Sequence, residues 1–349
     1  MNKKALVLLS ALCLGATVGC GNDSSSVNTN TNNNTNTTPA ETKETYSIGF
    51  GYTTSFKATQ AAVNVAVAAF GEDGKILAAR LDVVQIPLAV VDGVAGIDAA
   101  NKNAACLSKV ELGTDYNMLG SSEIKKEVYQ QIESFANWTV GKTVDEVVAG
   151  TPGAGHGVAV NDELASEVTI TVDDFENALK DAYANKKAAT EGTAANAGVG
   201  IYVEMYGANE LTTYVAGAIT NEAGVAEAVA VDNVVFPLAV VDGAAALDTT
   251  SKYVAEDGSI VSKKKLGEDY KMDDFMPDCK EDWYKQAAHI EDFVVGKDAA
   301  AIKGLSYTEG KNADLSALGA TIIVESIMKS VEEAVSYSTL DVITAKPVK

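Results

Sequence analysis

One heptapeptide occurs twice in this chain of 349 residues, and its recurrence constrains the fold more than any other feature. Pro87-Leu88-Ala89-Val90-Val91-Asp92-Gly93 returns unchanged as Pro237-Leu238-Ala239-Val240-Val241-Asp242-Gly243, 150 residues later. Leu112-Gly113-Thr114-Asp115-Tyr116 answers to Leu266-Gly267-Glu268-Asp269-Tyr270, and Val140-Gly141-Lys142 to Val295-Gly296-Lys297, so the offset drifts only from 150 to 155. That is a tandem duplication whose period lies far above the roughly 20–50 residues of a solenoid repeat, and each copy is expected to bury its own core.

The N-terminus reads as an export signal. Met1-Asn2-Lys3-Lys4 is basic, and Ala5 to Val18 is an uncharged apolar run too short to span a bilayer. Gly19-Cys20, followed by polar residues, resembles the lipobox of bacterial lipoproteins, although Thr17 stands where leucine is usual. That resemblance implies cleavage after residue 19, acylation of Cys20 and an extracytoplasmic protein held on the bacterial cell membrane by lipid. Residues 20–44 hold Asn, Thr and Ser with almost nothing apolar, and are expected to form a disordered tether.

The remainder is globular in composition, at 47% hydrophobic and 21% charged over the chain, and long enough for two sizeable cores. The net charge of −21 disfavours nucleic acid and anionic lipid surfaces as partners. Cys106 and Cys279 occupy non-equivalent positions, so no disulfide is expected between them and both are expected to be buried. His156 and His289, the only histidines, are also non-equivalent. No His-based metal centre is expected, and both rings are expected at the surface.

Each copy places strands first and helices later. In copy one, Tyr46 to Thr54, Ala61 to Phe70 and Lys75 to Val84 read as strands, with Gly71-Glu72-Asp73-Gly74 as a hairpin turn. Copy two offers Gly198 to Met205, Thr212 to Thr220 and Val225 to Val235. Val128, Ile132 and Phe135 share one helical face, Thr143 to Glu146 is a capping box, and Phe175, Leu179, Ala182 and Tyr183 form a second stripe. Copy two repeats the pattern through Trp283 to Phe293, Ala299 to Ile302, and the stripe Ile327, Val331, Ala334. The expected class is α+β: two tandem homologous domains, 45–184 and 198–349, each an antiparallel sheet followed by helices, with 185–197 as linker.

Ordinary enzyme constellations are missing: no phosphate loop, dinucleotide fingerprint, Gly-x-Ser-x-Gly or His-Glu-x-x-His. An electron carrier or binding protein is therefore expected rather than a catalyst. The glycine-rich stretch Thr151 to Gly157 has no counterpart in copy two and reads as a loop. Asp92 and Asp242 read as turn-capping residues.

The end of each copy carries the most suggestive segment. Copy two has Asp314-Leu315-Ser316-Ala317-Leu318-Gly319-Ala320-Thr321 before its last helix, and copy one has Glu163-Leu164-Ala165-Ser166-Glu167-Val168-Thr169. With the turn Asp73-Gly74-Lys75-Ile76, these residues resemble the FMN-binding domain of extracytoplasmic flavoproteins. In that family an Asp-x-x-Ser-Gly-Ala-Thr motif carries FMN through a bond between its phosphate and the threonine hydroxyl. The resemblance implies Gly319, Ala320 and Thr321, and Ser166 and Thr169, as the cofactor-binding residues. Copy two has Leu318 in place of the serine, and copy one has Glu167-Val168 in place of Gly-Ala, which makes Thr321 the better acceptor. The expected function is a membrane-anchored flavin carrier serving an extracytoplasmic redox partner. The alternative is a cofactor-free surface protein that binds a ligand or partner, through the repeated Pro-Leu-Ala-Val-Val-Asp-Gly region. The oligomeric state is not legible at this level.

Overall fold

The computed structural model describes residues 42–151, 160–274, 276, 279 and 281–340. The signal, Cys20, nearly all of the tether and the loop with His156 lie outside the described residues. The fold is α+β and built from two antiparallel sheets with helices.

In copy one, β1 (Glu44–Lys57), β2 (Gln60–Gly71), β3 (Ile76–Val91) and β4 (Val94–Ile97) form a meander. The short β5 (Thr190–Gly192) adds to its edge, giving the order β4-β3-β2-β1-β5. Residues 185–197 thus lie partly along the first sheet. Copy two repeats the meander as β6 (Asn196–Tyr206), β7 (Glu210–Thr220), β8 (Ala226–Val241) and β9 (Ala244–Leu247), in the order β6-β7-β8-β9. Even a register shift is shared, at Ala69/Phe70 and at Ile219/Thr220.

The repeated heptapeptide is the end of a strand and its turn. Val91 pairs with Val94, and Val241 with Ala244, across two-residue loops. Asp92 and Gly93 have φ of 53° and 79°, and Asp242 and Gly243 have 51° and 79°. Positive φ at both central residues matches the right-handed strand twist, which is why Asp-Gly recurs there. The repeated Val-Gly-Lys element pins helix to sheet: Gly141 donates its amide to Ile76 O and Ile76 donates to Lys142 O, while Gly296 and Ala226 do the same with Ala226 O and Lys297 O.

The helices are α1 (Lys109–Leu112), α2 (Val128–Thr139), α3 (Val144–Ala149) and α4 (Asp173–Ala184) in copy one. Copy two has α5 (Lys263–Leu266), α6 (Trp283–Val294), α7 (Ala299–Lys303), α8 (Ala313–Leu318) and α9 (Glu325–Ser338). The capping box at Thr143 and Glu146 is present. Phe175, Leu179 and Ala182 are buried, as are Ile327, Val331 and Ala334. Tyr183 is a correction to the expected stripe: it is exposed, with its ring edge-on to Phe70 and Lys186 above its face.

Helices cover the outer face of each sheet, and the inner faces meet. Val63, Val65 and Val67 of β2 share one apolar cluster with Val215, Ile219 and Phe236 of copy two. Two further clusters lie between each sheet and its own helices. Each copy therefore buries a core of its own and contributes half of a third, shared core. A Cβ on Gly217 would meet Val67 Cγ2 at 2.6 Å, so the sheets approach as closely as side chains allow there.

Glycines also decide how the last helices sit. A Cβ at Gly51 would fall 2.2 Å from Ala178 O, and one at Gly200 would fall 1.9 Å from Ser330 O. The backbones of α4 and α9 thus rest directly on β1 and β6.

The copies also meet through charge. Lys265 of copy two pairs with Asp181 of copy one at 2.8 Å. At the matching crossing Glu333 of copy two lies against Glu111 of copy one, and burial first, then the charges of Glu111 and Asp82, drive its carboxyl far above the usual range. Lysine at position 265 and glutamate at position 111 make one crossing an ion pair and the other an acid pair.

Candidate functional site

Thr169 and Thr321 occupy the same place in the two copies, and each is held by a buried glutamine. Gln131 Oε1 accepts from the Thr169 amide at 2.8 Å, the Thr169 hydroxyl at 3.3 Å and the Ile170 amide at 3.2 Å. Gln286 Oε1 accepts the same three bonds from Thr321 and Ile322, at 2.8, 3.3 and 3.1 Å. Both glutamines are 0% exposed, and their amide nitrogens are also bonded, so neither buried amide is left unsatisfied.

Gly319 has a local reason to be glycine. It caps α8 with φ of 116°, and a Cβ there would meet His289 Nε2 at 2.7 Å. His289, expected at the surface, is instead half-buried against this turn and bonds Glu281 at 2.8 Å. Ala320 is buried, and Ser166 is exposed on the equivalent turn of copy one. Glu167 is ion-paired with Lys126 and accepts from Ser134, which holds its carboxyl below the usual range. Helices α4 and α9 begin four residues after the threonines, at Asp173 and Glu325. The amides of Val324 and Glu325 both donate to Gly310 O. The threonine hydroxyls therefore face buried amides, and Thr321 would have to leave Gln286 to carry a phosphate.

A cleft lies beside Thr321. About 600 Å³ in volume, it falls within the range of small-molecule sites. Its sheet wall is Glu204, Tyr206, Glu210, Tyr214 and Asn233; Lys252, Tyr253, Lys263 and Tyr270 come from the connection between β9 and α6. Trp283, opening α6, and Ile322 and Ile323, following Thr321, close the far side. Lys252 Nζ sits 4.1 Å from the Tyr270 ring centre and donates to Tyr270 O at 2.7 Å, and Lys263 Nζ lies 5.5 Å from the same ring. Burial lowers Lys263 to about 8 and raises the Tyr253 and Tyr270 hydroxyls. Asn233 is 2% exposed, and its Oδ1 finds no hydrogen-bond donor among the described residues.

Copy one has an equivalent cleft of about 530 Å³. Lys102, Lys109 and Tyr116 stand where copy two has Lys252, Lys263 and Tyr270, and Lys109 Nζ is 5.1 Å from the Tyr116 ring. The aromatic wall is thinner: Asn103 replaces Tyr253, and Val128 replaces Trp283.

A second matched pair lies on the sheets. Asp82 accepts from the Ser108 hydroxyl at 2.6 Å and from the Val83 and Val110 amides at 2.7 and 3.2 Å. Asp232 accepts from the Ser262 hydroxyl at 2.6 Å and from the Asn233 and Lys264 amides at 2.7 and 3.0 Å. Desolvation raises Asp82 to about 7 and Asp232 to about 6, against the lowering effect of those bonds. Each ties the middle of a long strand to the start of α1 or α5, a structural rather than chemical task.

Sequence reasoning missed the clefts, the aspartates and the glutamines. Their signal was available: Lys102/Lys252, Lys109/Lys263, Tyr116/Tyr270, Asp82/Asp232 and Gln131/Gln286 are polar or aromatic identities at the offsets of the duplication. Cys106 is free and buried; Cys279, expected to be buried, is free and only half-buried, with its Sγ accepting from Gln286 Nε2 at 2.7 Å. Among the described residues no group of His, Cys, Asp and Glu is arranged to hold a metal, and no helix is long and apolar enough to cross a membrane. No family model, no curated protein and no solved structure matches the chain.

Proposed function

We propose that this chain is an extracytoplasmic, lipid-anchored binding protein whose ligand occupies the cleft of copy two. The observation that carries this reading is the buried Asn233 oxygen without a donor, set in a cleft walled by tyrosines and Trp283. A buried polar atom left unpaired costs about 1–3 kcal/mol, which marks this wall as the unusual part of the sheet. The cleft, rather than the repeated heptapeptide, is thus the proposed binding surface; the heptapeptide's Asp-Gly turns serve the hairpins.

The anchoring half of the reading rests on Cys20. Replacing Cys20 by alanine is expected to move the protein from the membrane fraction to the soluble fraction with its folding intact, checked by fractionation and circular dichroism. A variant that stays on the membrane would remove the lipid anchor from the proposal.

A flavin carrier is the second reading, favoured by one observation: Ile322 and Ile323, directly after Thr321, line the cleft. Its expected result is one FMN, less one water, in the intact mass of protein matured in its own host, lost in Thr321→Ala and kept in Thr169→Ala. A colourless protein whose mass lacks the FMN increment would leave the non-redox binding reading alone.

A further inference from the structure

We propose that Cys279 and Gln286 join in an internal thioester, a covalent modification that belongs to copy two alone. Cys279 Sγ lies 2.7 Å from Gln286 Nε2, in direct contact. The glutamine is fully buried in the first turn of α6. Its carbonyl oxygen takes three hydrogen bonds, from the amides of Thr321 and Ile322 and from the Thr321 hydroxyl. Three donors on one amide oxygen polarise the carbonyl and hold the negative charge that develops there when a nucleophile adds. The amide nitrogen also donates to Glu281 O at 2.8 Å, and Cys279 Sγ donates to the same oxygen at 3.3 Å. One backbone carbonyl thus keeps thiol and amide side by side, and such positioning turns a slow reaction between separate molecules into a step within one.

In the step, Sγ adds to the side-chain carbonyl carbon of Gln286, the C–N bond breaks, and the thiol proton leaves with the nitrogen as ammonia. One S–C bond replaces one C–N bond, nothing is oxidised or reduced, and no co-reactant is needed. Copy one supplies the control. Gln131 is equally buried, its oxygen takes the same three bonds, and its nitrogen is held by Lys126 O at 3.3 Å, the counterpart of Glu281 O. The other group on that nitrogen is the Ser122 hydroxyl, at 3.4 Å. A hydroxyl is a far weaker nucleophile than a thiol near neutral pH, and Ser122 stands farther off, so Gln131 stays an amide. Cys279 is only half-buried, which leaves the thioester within reach of small molecules. A primary amine that attacks it takes the glutamine acyl group through a new C–N bond and returns the thiol. The pair is thereby a site for covalent capture of an amine, independent of what occupies the cleft.

The test is peptide mapping of the purified full chain after digestion with pepsin in acid, where a thioester survives. A peptide holding both Cys279 and Gln286 should be lighter than its sequence by about 17 Da, one ammonia, while peptides with Gln131 keep their sequence mass. Alkylation of the unfolded chain should label Cys106 and leave Cys279 unlabelled. After the native chain is incubated with methylamine, Cys279 should be labelled as well, and Gln286 should be heavier by about 14 Da. Cys279→Ala, its folding checked by circular dichroism, should lose both the mass deficit and the methylamine uptake. A wild-type peptide of unmodified mass with an alkylatable Cys279 would overturn the proposal whatever the variant does. So would a disulfide at Cys279, or a mass deficit that persists in Cys279→Ala.

Discussion

Gly200→Ala should destabilise this protein by at least about 3 kcal/mol, and Gly198→Ala with Gly200→Ala together should abolish cooperative unfolding. The added methyl at residue 200 would sit 1.9 Å from Ser330 O and 2.6 Å from Ala334 N; at residue 198 it would sit 1.9 Å from Ala334 O. These are backbone atoms of α9, so no rotamer change relieves the overlap. The helix must lift from β6, which opens the layer of Ile327, Val331, Ala334 and Val335, all fully buried. Alanine's better strand propensity offsets only about 0.5–1 kcal/mol of this. Gly51→Ala should act in the same way on α4, since its methyl would lie 2.2 Å from Ala178 O. Gly96→Ala is the control: its nearest neighbour would be Met205 Sδ at 4.0 Å, and its effect should stay within about 0.5 kcal/mol. Urea denaturation followed by circular dichroism reads all four, and an unchanged midpoint for Gly200→Ala would refute the backbone contact.

Stability should fall as pH rises from 5 to 8, opposite to the behaviour of a protein held by salt-bridged carboxylates. Asp82 and Asp232 are 3% and 4% exposed, and desolvation raises them to about 7 and about 6. Unfolded aspartate titrates at about 3.9, so between about pH 4 and 7 the folded state binds more protons than the unfolded state, and stability drops with rising pH. At about 1.4 kcal/mol per unit, the two together represent a loss on the order of 4 kcal/mol between pH 5 and pH 8, complete above about pH 7. Glu333, raised by burial beside Glu111, works in the same direction. Lys263 works the other way only at higher pH: a lysine lowered to about 8 lets stability rise between there and its unfolded value. Asparagine at both positions 82 and 232 keeps an acceptor for the amides and removes the titration. Asp82→Asn with Asp232→Asn should therefore flatten the profile measured by urea unfolding at pH 5 and pH 8. A wild-type stability that is level or rising over that interval would contradict the burial of charge at these sites.

Much of the fold was legible along the chain because the determinants are local. The strand alternation at Val63, Val65 and Val67, the turns at Gly71 to Gly74 and Asp92-Gly93, and the capping box at Thr143 each act within a few residues, where periodicity and backbone sterics decide the outcome. The duplication made each such reading twice. The candidate site was legible only in part. Thr169 and Thr321 were singled out and do occupy equivalent places, but a motif carries no information on which way a hydroxyl turns, and Gln131 and Gln286 lie 38 and 35 residues away from them.

Sequence alone thus determined two sheet-then-helix copies and the location of their turns. Which sheet face meets which partner was decided by the tertiary structure. A strand whose two faces are both apolar, as in β2 and β7, satisfies either a helix layer or another sheet equally well, and only the burial available to the whole chain chooses between them. The cleft follows from the same choice at longer range. Tyr206, Lys263 and Ile323 come from three distant stretches, and a wall assembled from them has no period or spacing to read until the chain has folded.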